Sequence, residues 1–401
     1  MPICRGSELS SLRPQSETDL IAVVQDALSQ KTPLELIGTA TKRALGRPMQ
    51  TAATLDLSGF SAVSLYEPEE LVITAGAGAR LAEIRELISA KGQEFAFEPP
   101  DLSRLLGTDH AGTLGGMLAC NLSGPRRVKA GAARDHILGV TGVSGRGEAF
   151  KAGGRVVKNV TGYDVPKLMA GSFGTLAALT SLTFKVLPAA ESEETVVIVG
   201  LSDDDAVAAM SLAMQSPCEV SGAAHLPEAL TGGTAKTFLR LEGVPPSIAY
   251  RRDKLIGIMG RKAPIDRLDA TSSRAQWIAL RDVHPLADRQ DRSVWRLSVP
   301  PAEGAQVMAS VASQLEARWL YDWAGGLIWI DVPPDADAAT SVIRGAVREG
   351  HATLIRGPEA VRVAVPVLQP QAPELAALAR RVKTAFDPMG IFNPGRMQEG
   401  V

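Results

Sequence analysis

The hydrophobic pattern of this chain changes period several times, and those changes divide it. Near the start, apolar residues three and four apart over 20–28 predict a helix. Ser16 followed by Asp19 makes a capping-box pattern just before it. PLELIG at 33–38 then reads as a short strand ending on glycine, and LVITAG at 71–76 as another. LAEIRELISAKG at 81–92 reads as an amphipathic helix closed by Gly92. Between 107 and 185 the periodic signal breaks into glycine-rich runs: GTLGGMLACNLSG, GVTGVSGRG, AGGRVVKNVTGYD and AGSFGTLAALTSLTF. Glycine costs entropy in regular elements, so this density means either tight turns or backbone held against a ligand. The strand-like segments between the glycines favour the ligand.

After LPAAESEE at 187–194 the glycine motifs thin out. The pattern predicts a strand at TVVIVGL, a helix at 203–214, a strand near 237–242 and a helix at 246–258. A second set follows: WRLSVP at 295–300, a helix at 303–317, GLIWIDV at 326–332, a helix at 336–349 and ATLIRG at 352–357. That order fits two α+β halves of ferredoxin-like type. A last helix at 374–386 leads into the turn-rich DPMGIFNPGRM at 387–397. All five tryptophans lie between Trp277 and Trp329, which marks this region for core packing or a contact surface.

Composition narrows the classes. The 401 residues allow two or three domains at roughly 150 residues each. Hydrophobic residues make up 45% and charged residues 21%, as in ordinary globular chains with a large core. With 42 basic and 44 acidic residues, there is no nucleic-acid footprint. Cys4, Cys120 and Cys218 are too dispersed for a CxxC motif, a Cys-ligated iron–sulfur cluster or a disulfide framework, which favours a reducing compartment. The first residues carry no apolar h-region, so no signal peptide is expected, and no apolar run approaches the ~20 residues of a membrane span.

Nucleotide motifs discriminate further. GAGARL at 76–81 follows a strand and opens a helix, but Leu81 stands where a Rossmann fingerprint needs Gly or Ala. The dipeptide Gly-Lys never occurs, so there is no P-loop. IGTATKRALG at 37–46 runs from a strand into small and hydroxylated residues, then Lys42 and Arg43. Its amides can form an anion nest, with Thr39 and Thr41 donating to phosphate oxygens. Taken alone, it reads equally well as an ordinary strand-to-helix turn.

GTLGGMLACNLSG at 112–124, RDHILGV at 134–140, VVKNVTGYDVPKLMAGSFGTLAALTSLTFKVLP at 156–188 and AFDPMGIFNPGRM at 385–397 together resemble the signature blocks of the FAD-binding domain of vanillyl-alcohol oxidase-like, PCMH-type flavoproteins. Within that family the chain is most similar to the FAD-binding subunit of bacterial glycolate oxidase (glycolate dehydrogenase) complexes. The resemblance implies an α+β fold. A PCMH-type FAD-binding domain would span 1–190, with subdomains of about 1–62 and 63–190. An antiparallel-sheet, ferredoxin-like cap would span 191–365, and a C-terminal segment, 366–401, would return to the FAD domain.

It also implies an FAD-dependent oxidoreductase component that supports oxidation of glycolate, a 2-hydroxy acid, to glyoxylate. Its partners would be a catalytic FAD subunit and an iron–sulfur subunit. Its location would be cytoplasmic, with peripheral membrane association at the inner face through those partners. A self-sufficient dehydrogenase of a small hydroxy acid or alcohol, and a structural subunit retaining the fold, stay open as alternatives.

By the same resemblance, Gly38, Thr39, Ala40, Thr41 and Lys42 hold the FAD pyrophosphate. Thr113, Leu114, Gly115 and Gly116 line the flavin and pyrophosphate, and Asn121 and Gly124 follow along the cofactor. Asp135 and His136 sit near the adenosine or ribityl stretch, while Gly171, Ser172, Gly174 and Thr175 close the bed. Asn159, Gly162, Tyr163 and Asp164 lie close to the flavin, and Asn393 approaches the ring from the C-terminal segment. The pyrophosphate loop, GTATK, has no His or Cys for a covalent flavin link, so dissociable, non-covalent FAD is expected. No catalytic residue emerges and no metal is expected: His110, His136, His225, His284 and His351 show no HxGDGNxH-like spacing. Arg296 and Arg356 are candidate carboxylate partners, with surface ion pairing as the ordinary alternative.

Overall fold

The capping box forms as the sequence predicts: Ser16 accepts from the Asp19 amide, Asp19 accepts from the Ser16 amide, and the helix Glu17–Gln30 follows. Its face of Leu20, Val24 and Ala27 is buried against a three-stranded parallel sheet ordered Ser10–Leu12, Ala53–Asp56, Leu34–Ile37. This computed structural model describes residues 10–156, 162–260, 263–335 and 337–400. The C-terminal segment completes that first layer. The Leu34 amide donates to Ile391 O, the Asn393 amide donates to Leu34 O, and Ile391 and Phe392 enter the same core.

A five-stranded antiparallel sheet comes next, in the order Val63–Glu67, Val72–Gly76, Ala177–Lys185, Ile137–Ser144, Ala149–Gly153. The glycines of the rejected GAGARL motif serve packing here. A Cβ on Gly76 would stand 2.0 Å from Phe60 O, and one on Gly78 would stand 2.4 Å from Leu57 O. Only bare backbone lets the 57–60 turn cross so closely.

The third layer is an eight-stranded antiparallel sheet built from two similar halves. The first is ordered Ile265–Leu268, Ser192–Val199, Lys236–Gly243, Gly222–Leu226; the second is Arg318–Asp322, Leu327–Val332, Ser293–Ser298, His351–Arg356. Each half has the strand–helix–strand–strand–helix–strand order of a ferredoxin-like unit, and they join edge to edge at His225 and Tyr321. Period-two alternation gives the sheet two faces. Val196, Leu239, Trp295, Tyr321 and Ile330 pack under the helices, while Val197, Phe238, Val294, Leu320 and Trp329 share the core of the five-stranded layer. Trp277, Trp295, Trp323 and Trp329 are all buried, so these tryptophans are packing groups and do not form a free contact surface.

Helix ends depart from the sequence expectations where tertiary contacts intervene. The 303–317 helix is Gly304–Ala312 behind a short 3-10 turn, and the 336–349 helix is Thr340–Ala346. Among the described residues, no helix is long and apolar enough to cross a membrane.

Candidate functional site

Between the parallel sheet and the five-stranded sheet lies a cleft of about 820 Å³. One wall is the turn after Leu34–Ile37, with Gly38, Thr39, Ala40, Thr41, Lys42 and Arg43. The opposite wall comprises Thr113, Gly115, Gly116, Ala119 and Cys120 on and beside the helix Leu114–Ala119. Ser172, Phe173, Gly174, Ala177 and Leu179 form the floor, and Asn393 and Arg396 close one side.

The turn is shaped for close approach. A Cβ on Gly38 would stand 2.6 Å from Thr113 Oγ1, which itself accepts from the Gly116 amide and caps the facing helix. Ala40 holds a left-handed φ of 59°, an uncommon conformation for a non-glycine residue. Among the described residues, the amides of Thr39 to Lys42 find no protein acceptor, and buried Thr39 Oγ1 has no hydrogen-bond partner. Native structures rarely leave buried polar groups unsatisfied, so this turn is built for an external acceptor.

The charge in the cleft agrees. Lys42 Nζ donates to Ala111 O at 2.9 Å and, among the described residues, pairs with no carboxylate, and burial pushes its pKa down. Arg396 is buried, donates to Lys42 O at 2.6 Å, and is likewise pulled down by desolvation. Arg43, by contrast, is forked onto Glu35 at 2.9 and 2.8 Å. A half-buried lysine and a buried arginine, neither ion-paired among the described residues, suit a ligand carrying two negative charges. Cys120 lies between them; burial pushes its thiol pKa up, while Lys42 and Arg396 pull the other way.

Asn393 fastens the side wall. Its Oδ1 accepts from the Leu36 amide at 2.8 Å and its Nδ2 donates to Phe173 O at 2.7 Å. A Cβ on Gly174 would meet that Nδ2 at 2.7 Å.

The structure thus brings Gly38, Thr39, Ala40, Thr41, Lys42, Thr113, Gly115, Gly116, Ser172, Gly174 and Asn393 to one cleft. Others have different settings. Leu114 points into the core. Asn121 Oδ1 accepts from the Arg134 amide, and Gly124 O accepts from Trp323 Nε1. Asp135 caps its own short helix through the Ala132 amide, and His136 stacks on Phe97 with Nε2 on Ala130 O. Gly171 lies beside Asn121, and Thr175 Oγ1 is satisfied by Ser172 O. Gly162 has φ 75° with open space around it, Tyr163 is 93% exposed, and Asp164 pairs with Lys167. These three face solvent rather than the cleft. Asn159 lies outside the described residues. Arg356 is no carboxylate partner: it is used up on Leu105 O, Arg292 O and Arg289 O.

Sequence reasoning missed Cys120, Phe173 and Arg396. All three sit inside quoted blocks, but only folding turns Arg396 of FNPGRM toward Lys42. Among the described residues, no group of three or more His, Cys, Asp or Glu is placed to hold a metal.

Comparison with known proteins places this geometry. The family described as "FAD binding domain" matches residues 10–153. The glycolate oxidase subunit GlcE of Escherichia coli K12 is 32% identical over 380 residues, covering 94% of this chain and 96% of that protein. A D-lactate dehydrogenase of Anaerostipes hadrus is 30% identical over only 48% of this chain and 39% of its own. In fold, a p-cresol methylhydroxylase structure with substrate bound superposes with a TM-score of 0.70 at 14% identity, covering 97% of this chain and 88% of that one.

Proposed function

The chain belongs to the family of FAD-binding glycolate oxidase subunits, and from that premise we propose that it is the FAD-carrying subunit of a complex that oxidises glycolate to glyoxylate. The observation that carries this reading is the extent of the match: the similarity to GlcE runs through the eight-stranded layer to the C-terminal segment, whereas the D-lactate dehydrogenase match covers about half the chain.

The cleft fits the cofactor. The free amides of Thr39 to Lys42 and the unpartnered Thr39 hydroxyl would donate to the pyrophosphate oxygens, with Lys42 and Arg396 balancing its charge. Gly38, Gly115 and Gly116 leave room for the chain of the dinucleotide, and Leu57, Phe173, Ala177 and Leu179 offer apolar surface. FAD supplies the redox chemistry; the protein binds and orients it and excludes water. The loop offers no side chain for a covalent link, so the FAD dissociates. The partners are the catalytic FAD subunit and an iron–sulfur subunit, and the complex works in the cytoplasm, docked at the inner face of the membrane through those partners.

The test is the absorption spectrum of the purified chain, followed by anaerobic glycolate. A flavin band that acid releases, and that stays oxidised until the partner subunits are added, is the expected result. Bleaching by glycolate alone would make the chain a self-sufficient dehydrogenase. No flavin after reconstitution would overturn the reading.

A further inference from the structure

The eight-stranded sheet turns a row of charged residues toward the five-stranded layer, and nearly every guanidinium in that seam is accounted for. Arg240 forks onto Glu98 at 2.8 and 2.9 Å. Arg126 pairs with Glu94, Glu98 and Glu242. Arg292 and Arg318 share Asp331. A guanidinium withdrawn from water needs a carboxylate or hydrogen-bond acceptors to offset its desolvation.

Two neighbours break the rule. Arg127, on the short helix Arg127–Ala130, and Arg296, on the strand Ser293–Ser298, make no side-chain hydrogen bond or ion pair among the described residues. Both instead lie against one indole, with guanidinium carbons 4.4 Å (Arg127) and 5.1 Å (Arg296) from the Trp323 ring centre. Trp323 is itself locked, its Nε1 donating to Gly124 O at 3.0 Å. Two like charges held at one rigid aromatic group, each half-buried, repel each other, and among the described residues no carboxylate lies within ion-pair distance of either; Asp135 acts on Arg127 and Asp322 on Arg296 only from farther away. Desolvation and then the Arg127 charge pull Arg296 down to about 10. Asp322, next to Trp323 in the chain, is a weak partner: burial pushes its carboxyl up to about 7, and its Oδ1 accepts from the Trp323 amide at 2.7 Å. A cation–π contact offsets only part of the cost of desolvating a guanidinium.

We propose that Arg127 and Arg296, held against Trp323 at the seam between the five-stranded and eight-stranded layers, form a binding site for a small carboxylate. Two planar forks reaching one seam from separate layers suit a monocarboxylate better than a phosphate, which the cleft already provides for on its own cations. Naming a 2-hydroxy acid as the ligand rests on the glycolate oxidase reading; the anion site itself does not. Because one arginine comes from each layer, occupancy also ties the two layers together.

The probe is sodium glycolate, titrated into the full-length, FAD-loaded chain at constant ionic strength and read by tryptophan fluorescence and calorimetry. Saturable binding is expected. Its Kd should rise at least tenfold in Arg296→Gln and in Arg127→Gln, and less in Arg296→Lys, which keeps charge but loses the fork. Ethylene glycol, without a carboxylate, should give no response. Arg127 stands on a half-exposed turn, so its variant tests the idea even where Arg296→Gln fails to fold. Absence of saturation, a Kd unchanged from the wild-type chain in both glutamine variants, or binding of an acidic partner surface with no glycolate binding would overturn the proposal. The flavin absorbance of the same sample separates the two readings. Glycolate binding without flavin would sink the cofactor reading alone; flavin without glycolate binding would sink the anion site alone.

Discussion

Thr39 and Gly38 show what single residues contribute to the cleft. Thr39 buries a hydroxyl with no partner, so Thr39→Val removes nothing that stabilises the ligand-free protein. We expect the melting temperature of the flavin-free chain to hold or rise, while FAD affinity falls roughly ten- to hundredfold, as loss of a hydrogen bond to a charged oxygen worth about 1.5–3 kcal/mol implies. Equal loss in both would show that the hydroxyl is structural. Gly38→Ala acts differently: its Cβ would drive into the Thr113 side chain that caps the facing helix, costing about 1–3 kcal/mol by overpacking. Denaturant titration of the apo variant checks this, and an unchanged midpoint would refute it.

At the scale of elements, the C-terminal helix Pro373–Phe386 and the turn after it act as a strap. Lys383 is the helix's buried residue, bonded to Thr175 O and Phe392 O and paired with Asp387, whose carboxylate accepts from the Ile391 and Phe392 amides. Lys383→Met would leave that carboxylate buried and unpaired, and unfolding should become easier by about 3–5 kcal/mol. Asn393→Ala is milder. It removes the two hydrogen bonds that join the strap to Leu36 and Phe173, about 2 kcal/mol at roughly 1 kcal/mol each. Limited proteolysis should then cut the strap sooner, and flavin should be lost from the same molecules. Faster cutting with flavin retained would separate the strap from the cleft.

For the whole molecule, the seam between layers sets the acid limit. Burial alone would raise the pKa of Glu98, but Arg240 and Arg126 outweigh it and bring it down to about 2 from an ordinary 4.5. A carboxyl depressed in the folded state stabilises fully above its unfolded value and loses that contribution as pH falls toward its folded value. The wild-type chain should therefore lose stability between about pH 4.5 and pH 2, while Glu98→Gln, weaker at neutral pH, should lose less across that window. Parallel slopes in thermal melts would remove Glu98 from the account.

What could be read from the chain alone is what repeats locally. Ser16 and Asp19 cap a helix through neighbours three residues apart, and the nearly unbroken apolar runs TVVIVGL and GLIWIDV mark strands. The turn at 38–42 sets nest, hydroxyls and lysine side by side, which leaves an anion site and an ordinary turn equally open; the unpaired amides and Thr39 hydroxyl of the folded turn are what favour the anion site. The glycine blocks are legible as a family pattern, yet the blocks do not say which members face a ligand. Asp135 and His136 look like Gly115 and Gly116 in that respect, but the first two spend their polar atoms on the local backbone. Arg396 joins Lys42 across 354 positions of sequence, and Arg127 meets Arg296 only because two layers close on Trp323. Such contacts depend on how separate elements pack. A charge is free or paired according to what the rest of the fold has already placed beside it, and that is decided by the tertiary structure.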